Sequence, residues 1–362
     1  MKVLSLFDGM ACGMLAFNEV GVEIESYDAY EIDKYAIKTA THNFPIIKEN
    51  GDVFTAVFTK YRGVDFLIGG SPCTYWSIAQ KNNRETEASG MGWELFKQYV
   101  RALKEAEPKY FIYENNYSMS AAIRESINNA FGFEAVFINS ALLSAQNRKR
   151  LYWVGKRNAD GTYSKVDVKL PEDRGILLRD ILESDEDLTT NDKAFCLTAS
   201  YNGAVAWNTI ERNQRNVVEE PVRVGALPRP NGELSTSQAK RIYSIDGKSV
   251  NLVANGGGEG AKTGLYAVPT NKSIYEVKDG TITIRGKQYP IKLADGYYTI
   301  RKLTVTECKR LQTVPEWYEF NVSNAQAYKM LGNGWTVAVI AHLIRSALTN
   351  QVVAEATQLS LV

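Results

Sequence analysis

The stretch VDFLIGGSPCTYWSIAQ, Val64 to Gln80, runs an apolar strand directly into Gly69, Gly70, Ser71, Pro72 and Cys73. Pro72 disfavours helical geometry at Ser71, so the chain leaves the strand extended and sets Cys73 where the next turn begins. A thiol placed there is offered to something outside the chain. Most single cysteines are inert packing, which is the reading for Cys12, Cys196 and Cys308. Cys73 differs in its company. YENN, Tyr113 to Asn116, places Glu114 at the end of a strand read over Lys109 to Tyr113, on the same rim of a sheet. QNRKR, Gln146 to Arg150, puts three cations just before a strand read over Leu151 to Val154. Taken singly, each of these is an ordinary surface charge. Together, a thiol, an acid and arginines at strand ends can converge. Only a few per cent of a free thiol is thiolate near neutrality, so a nucleophilic Cys73 needs help from such neighbours.

A second constellation suits a nucleotide-like ligand. VLSLFDGMACG, Val3 to Gly13, reads as a strand, a glycine-bearing turn and a helix start whose amides face a ligand. Glu31, 22 residues after Gly9, stands where an acid can hydrogen-bond a ribose diol. Asp52, in NGDVF, closes a candidate third strand and can accept from an adenine amino group. The set fits an adenosine-containing ligand, against the alternative of a tight turn with surface acids. GGGEGAKT, Gly256 to Thr263, imitates a triphosphate-binding loop, but Ala261 replaces the second glycine, and no strand and helix flank it.

Strands and helices alternate through the first half. Val3 to Leu6, Glu25 to Tyr30, Val64 to Ile68, Lys109 to Tyr113, Phe133 to Ile138 and Leu151 to Val154 read as strands. Met14 to Val20, Lys34 to Asn43, Glu94 to Ala106 and Ala121 to Phe131 read as helices. This rotation predicts an α/β fold with a mostly parallel sheet, helices on both faces and ligands at the strands' carboxyl ends. From about Asp187 to Tyr298 the texture turns rich in Gly, Asn, Thr and Ser, with short strands such as Gly280 to Ile284, which predicts an irregular β-rich insertion. Helical pattern returns at Thr304 to Leu311 and Asn333 to Leu348, the latter apolar enough to complete the first domain.

Composition sets the outer limits. A chain of 362 residues with 44% hydrophobic content supports one or two cores. No run approaches a membrane span and the N-terminus lacks a signal-peptide pattern, so a cytoplasmic protein is expected. Four dispersed cysteines argue against a disulfide framework or a structural zinc site, and two histidines leave little for a metal centre or a hydrolytic triad. A net charge of +1 neither demands nor excludes nucleic acid.

The order of these motifs resembles the cytosine-C5 DNA methyltransferases. LSLFDGMACG, Glu31, Asp52, GGSPC, YEN and QNRKRLYWVG occur in that family's usual sequence, followed by RKLTVTECKRLQTVPEWY, Arg301 to Tyr318, and LGNGWTVAVI, Leu331 to Ile340. The resemblance implies a Rossmann-like sheet built from residues 1–187 and 323–362, an inserted target-recognition domain over 188–299 and a supporting segment over 300–322. It implies S-adenosylmethionine as methyl donor, with S-adenosylhomocysteine as product, and no metal. Phe7, Asp8, Gly9, Met10, Glu31, Ile32, Asp52, Val53, Pro72, Leu95, Asn333 and Trp335 would form the cofactor site. Cys73 would attack the base, Glu114 would meet its N3, and Arg148 would hold the ring oxygen and nearby backbone charge. The partner would be double-stranded DNA, bound by a monomer encoded by a prokaryote or phage, with or without an accompanying restriction enzyme. Lys81, Arg84, Gln146 and Arg150 would face the DNA. Gln80 to Gly92, polar and glycine-containing, is expected as a mobile loop closing over it. Candidate base readers are Arg212, Arg215, Lys240, Arg241 and Lys262. Three positions depart from the family's pattern: Asn116 stands where valine is common, Thr74 where glutamine is common, and Gly334 where serine or alanine is frequent. The rival expectations are an RNA (tRNA) cytosine-C5 methyltransferase, a non-catalytic DNA-binding relative and a small-molecule methyltransferase.

Overall fold

The structure, a computed structural model, describes residues 1–77, 84–183, 223–226, 241–244, 265–269, 275–284, 287–290, 295–301 and 303–359. The N-terminal strand β1 (Lys2–Leu6) is central and nearly all buried, with Val3 facing one core and Leu4 the other, as a two-residue side-chain period requires. It turns into α1 (Cys12–Val20), and β2 (Ser26–Tyr30), α2 (Lys34–Asn43) and β3 (Ile47–Glu49) follow. The chain then returns past β1 to β4 (Phe66–Gly69), α3 (Gly90–Ala106), β5 (Tyr110–Asn116), α4 (Ala121–Phe131), β6 (Val136–Asn139), β7 (Lys149–Arg157) and β8 (Tyr163–Lys165).

The strand order is β3-β2-β1-β4-β5-β7-β6, with β8 against β7. Strands β1 to β5 run parallel to their neighbours, while β7 is antiparallel to β5, β6 and β8. The chain winds outward from β1 in both directions, so the crevice between the carboxyl ends of β1 and β4 is the sheet's topological switch point, where ligands bind in such sheets.

The expected alternation of strand and helix breaks at β6 and β7. Residues 140–148 hold only one short 3₁₀ turn, Ser140–Leu142, too little chain for a parallel crossover, so the two strands pair antiparallel.

One core packs under α1 and the C-terminal helix, and includes Phe17, Ile112, Tyr152 and Ile344. The other lies under α3 and α4 and is dense with rings. Tyr99 sits 4.8 Å from Tyr113, and Phe111 sits 5.0 Å from Phe131. The Tyr99 hydroxyl donates toward the Leu67 and Ile112 carbonyls, which ties α3 to β4 and β5.

The second sheet is formed by β9 (Arg223–Ala226), β10 (Arg241–Ser244), β11 (Leu265–Pro269), β12 (Tyr275–Lys278), β13 (Thr281–Ile284), β14 (Lys287–Pro290) and β15 (Gly296–Arg301). Their order is β14-β13-β12-β15-β11-β10-β9, antiparallel except for β10 with β11. Arg241 opens β10, whereas Arg212, Arg215, Lys240 and Lys262 lie outside the described residues.

Three helices close the fold: α5 (Val305–Leu311), α6 (Asn324–Asn333) and α7 (Val337–Leu359). The helix expected over Asn333 to Leu348 starts only at Val337, and Asn333 is the last residue of α6. Gly334 is extended, its N–H returns to Met330 O, and α7 starts afresh after Thr336.

Candidate active site

Strand β4 delivers the chain to the rim, and hydrogen bonds from β5 fix where it goes. Ser71 is buried, with its Oγ 2.7 Å from the Tyr113 hydroxyl. Asn115, fully buried, donates from Nδ2 to the Ser71 carbonyl at 3.1 Å, and its Oδ1 accepts from the Asn116 amide at 2.9 Å. Asn116 donates from Nδ2 to the Cys73 carbonyl at 3.3 Å, which gives this departure from the family's usual valine a job. The backbone amides of Trp76 and Ser77 close on the same carbonyl. Cys73 therefore opens a one-turn 3₁₀ helix, half-exposed, with its backbone anchored. By contrast, burial pushes the Cys12 thiol up to about 12 and leaves it inert.

Glu114 lies inside β5, because the strand runs on to Asn116 rather than ending at Tyr113. Its carboxylate is 9% exposed as a residue and has a donor on each oxygen: Arg150 Nε at 2.9 Å from Oε1, and Trp335 Nε1 at 3.0 Å from Oε2. A buried charge of this kind persists only when paired and hydrogen-bonded. Gly70 makes the approach possible, since a Cβ there would sit 2.9 Å from both Glu114 O and Oε2. Arg148 is buried beside them and donates from Nη2 to the carbonyls of Gly332 and Gly334 at 3.2 and 2.8 Å. Burial, and then the neighbouring Arg150 cation, lower its pKa to about 10, against support from Glu114, Cys73 and Tyr152, so Arg148 remains charged at neutral pH.

Across the switch point, the β1 turn is unusual in its backbone. Phe7 and Gly9 both take positive φ, 58° and 60°, and no atom lies within 4 Å of the place a Gly9 Cβ would occupy. Glu31 folds back over this turn, accepting from the Gly9 amide at 2.9 Å and from the amides of Ile32 and Asp33 at 2.8 and 2.9 Å. Ile32 is 76% exposed, an apolar side chain with nothing over it. Asp52 caps the 3₁₀ turn Val53–Thr55 by accepting from the Phe54 amide, with Val53 buried behind it. Leu95 on α3 is partly buried, Pro72 and Asn333 are exposed, and Met10 is buried, its carbonyl accepting from Tyr318. An open glycine turn, a carboxylate on the next strand end, an exposed apolar side chain and a second acid form a donor set that fits an adenosine moiety.

The chain's sequence matches the C-5 cytosine-specific DNA methylases over residues 1–349. It belongs to that family. It is 28% identical over 312 residues to the orphan methyltransferase M.Rho11sI of Bacillus phage rho11s, covering 74% of this chain and 60% of the phage protein. It is 26% identical over 356 residues to the type II methyltransferase M.HhaI of Haemophilus parahaemolyticus, covering 95% and 93% of the two chains. Among solved structures, the Dnmt2 methyltransferase of S. pombe superposes with a TM-score of 0.57 at 17% identity, covering 97% of this chain and 99% of that one. A putative DNA modification methyltransferase from an E. coli prophage gives 0.56, with the same identity and coverage. The sheet is thus the Rossmann-like methyltransferase fold expected from the strand and helix pattern.

As a C5 cytosine methyltransferase, the protein keeps two expected DNA contacts for itself. Gln146 is fully buried, its amide donating to Leu311 O and Gln312 Oε1, both at 3.3 Å. Arg150 is buried against Glu114. Lys149 and Arg150 belong to β7 and do not precede it, so strand alternation turns Lys149 out and Arg150 in, while Gln146 is buried before the strand begins. Arg84 donates to the carbonyls of Trp76 and Ser118, and Glu85 accepts from Trp76 Nε1 and the Gly92 amide. The described part of the expected loop, 84–92, is therefore tied to its surroundings and its end belongs to α3, which begins at Gly90 and not at Glu94. Lys81 lies outside the described residues.

Sequence reasoning missed four residues that build the site. Asn115 was hidden in plain view in YENN, as a polar residue in an apolar strand. Gln312 and Thr336, each 1% exposed, join the C-terminal turn to α5, and only their spatial meeting shows it. Glu49, at the end of β3, has both carboxyl oxygens buried without a hydrogen-bond partner. Among the described residues no group of His, Cys, Asp and Glu would hold a metal, and no helix is long and apolar enough to cross a membrane.

Proposed function

We propose that the protein methylates C5 of cytosine within a specific double-stranded DNA sequence, through an extruded base and a covalent bond from Cys73 to C6. The observation that carries this reading is the pairing of a half-exposed, backbone-anchored Cys73 with a buried, doubly hydrogen-bonded Glu114 on one rim of the sheet. Cytosine C5 is a poor nucleophile until C6 is attacked. Addition of the Cys73 thiolate to C6 pushes the ring electrons toward C5 and onto N3, where the Glu114 carboxyl group meets the ring and Arg148 supplies positive charge. S-adenosylmethionine, when bound, supplies the methyl group. Phe7 would stack on the adenine, Glu31 would hold the ribose, Asp52 would meet the adenine amino group, and Asp8, Gly9, Met10, Ile32, Val53, Pro72, Leu95, Asn333 and Trp335 would border the same site. Loss of the C5 proton then expels Cys73 and restores the aromatic ring. A stacked base hides C6, so extrusion from the duplex, at a few kcal/mol, precedes attack.

The phage and bacterial relatives support a microbial or phage origin, and the inserted β-rich segment supports the reading of a duplex. The test is transfer of labelled methyl groups to genomic DNA and to tRNA in parallel, with bisulfite sequencing of the DNA. The expected result is 5-methylcytosine at one sequence context in DNA. Label confined to tRNA would contradict the proposal.

A further inference from the structure

The family resemblance puts Trp335 at the cofactor pocket, yet its indole N–H points to Glu114 Oε2 at 3.0 Å. With Arg150 on Oε1, the carboxylate plane is pinned from both ends. An indole nitrogen is a donor only, so this contact orients an acceptor oxygen and nothing else.

The placement of the indole is built. A Cβ on Gly70 would stand 3.4 Å from Trp335 Nε1 and 2.9 Å from Glu114 Oε2, so the strand-end glycine leaves room for the pair. The turn that carries Trp335 is held from three directions. Arg148 donates to Gly332 O and Gly334 O. Gln312 Nε2 donates to Leu331 O at 2.6 Å and Gly334 O at 3.2 Å. Thr336 Oγ1 lies 2.9 Å from both Gln312 Oε1 and Ser140 Oγ. Six hydrogen bonds among largely buried groups fix a short break between two helices, and the side chain they aim is the one that reaches Glu114.

We infer that Trp335 is a positioning residue for Glu114, setting the carboxyl group against the N3 edge of the base and linking the C-terminal turn to the chemistry. The inference rests on the proposed function. A contact with the N3 edge requires the Glu114 carboxyl group to be presented in a single direction, and the indole N–H on Oε2, opposite Arg150 on Oε1, fixes that direction.

The test is steady-state methylation by Trp335→Phe, which keeps an aromatic ring and removes the N–H, alongside the wild type. Turnover should fall about tenfold, with KM for S-adenosylmethionine within about twofold of the wild type. Replacement of Trp335 by 3-benzothienylalanine, where sulfur takes the place of the N–H at nearly constant volume, should show the same loss. In a Glu114→Gln background the Trp335→Phe change should cost nothing more, because it acts through the group already altered. Wild-type turnover in either Trp335 variant, or a raised KM with turnover kept, overturns the inference. A wild-type enzyme that transfers no methyl group to cytosine refutes the functional reading instead, and the wild-type lane separates the two failures.

Discussion

Glu49 shows how much a single side chain can owe to its neighbours. Its pKa is raised from an ordinary 4.5 to about 8, first by burial and then by the charges of Asp8 and Glu31. Asp8 is raised to about 6, mainly by burial, even though the hydroxyls of Ser5 and Tyr27 both donate to its Oδ1. Between about pH 4.5 and 8 the folded chain holds a proton on Glu49 that the unfolded chain has released. The associated stability is complete below that window and is lost as pH rises through it. Glu49→Gln removes the dependence. Thermal melts from pH 5 to pH 9 should show the variant near the wild type at the acid end and a few degrees more stable at the alkaline end. A difference independent of pH would contradict this. The sequence announced Cys73 and Glu114 because both follow apolar runs and stand next to Pro, Gly or Asn. Glu49 gave no such signal, since its burial comes from β3 pairing with β2 and from acids brought near it by two other strands.

At the scale of elements, the pattern of apolar runs located nearly every strand and helix of the first sheet, and missed where several of them stop. Strand β5 carries Glu114, Asn115 and Asn116 past the expected end because each polar side chain finds a buried partner. Periodicity does not register that compensation. The later start of α7 was missed for the same reason: Gly334 and Thr336 look tolerable in a helix, whereas Arg148 and Gln312, distant in sequence, hold the turn before it open. Asn115 is the strongest case of an element held by one side chain. Asn115→Ala would leave the Ser71 carbonyl and the Asn116 amide without their partner and release the Cys73 loop from β5. The expected cost is about 1–3 kcal/mol of stability, with a fall in turnover larger than any change in cofactor affinity. Chemical denaturation and single-turnover kinetics check both. Full turnover in a destabilised variant would show that the latch serves the fold alone.

For the whole molecule, the winding of the sheet brings the parts together. Because β1 and β4 are neighbours whose connections leave in opposite directions, the glycine turn and the thiol loop face one crevice, and β5 adds the acid beside them. The C-terminal helices return to this sheet and supply Trp335, so the site is complete only when both ends of the chain have folded. This much followed from motif order. The hidden part was the antiparallel β7, which turns Arg150 inward onto Glu114, and the burial of Gln146 just before it, so that an expected DNA surface becomes the frame of the site.

The central claim is that the sulfur of Cys73 bonds to C6 of an extruded cytosine. The decisive measurement is mass spectrometry of the protein after incubation with S-adenosylmethionine and a duplex of its target sequence carrying 5-fluorocytosine, which cannot lose the C5 substituent that normally departs as a proton. The account predicts a stable protein–DNA adduct that maps to Cys73 and is absent from Cys73→Ser, although that variant still binds cofactor and DNA. A folded, cofactor-loaded wild type that methylates the ordinary duplex but forms no adduct, or forms one at another residue, would contradict it.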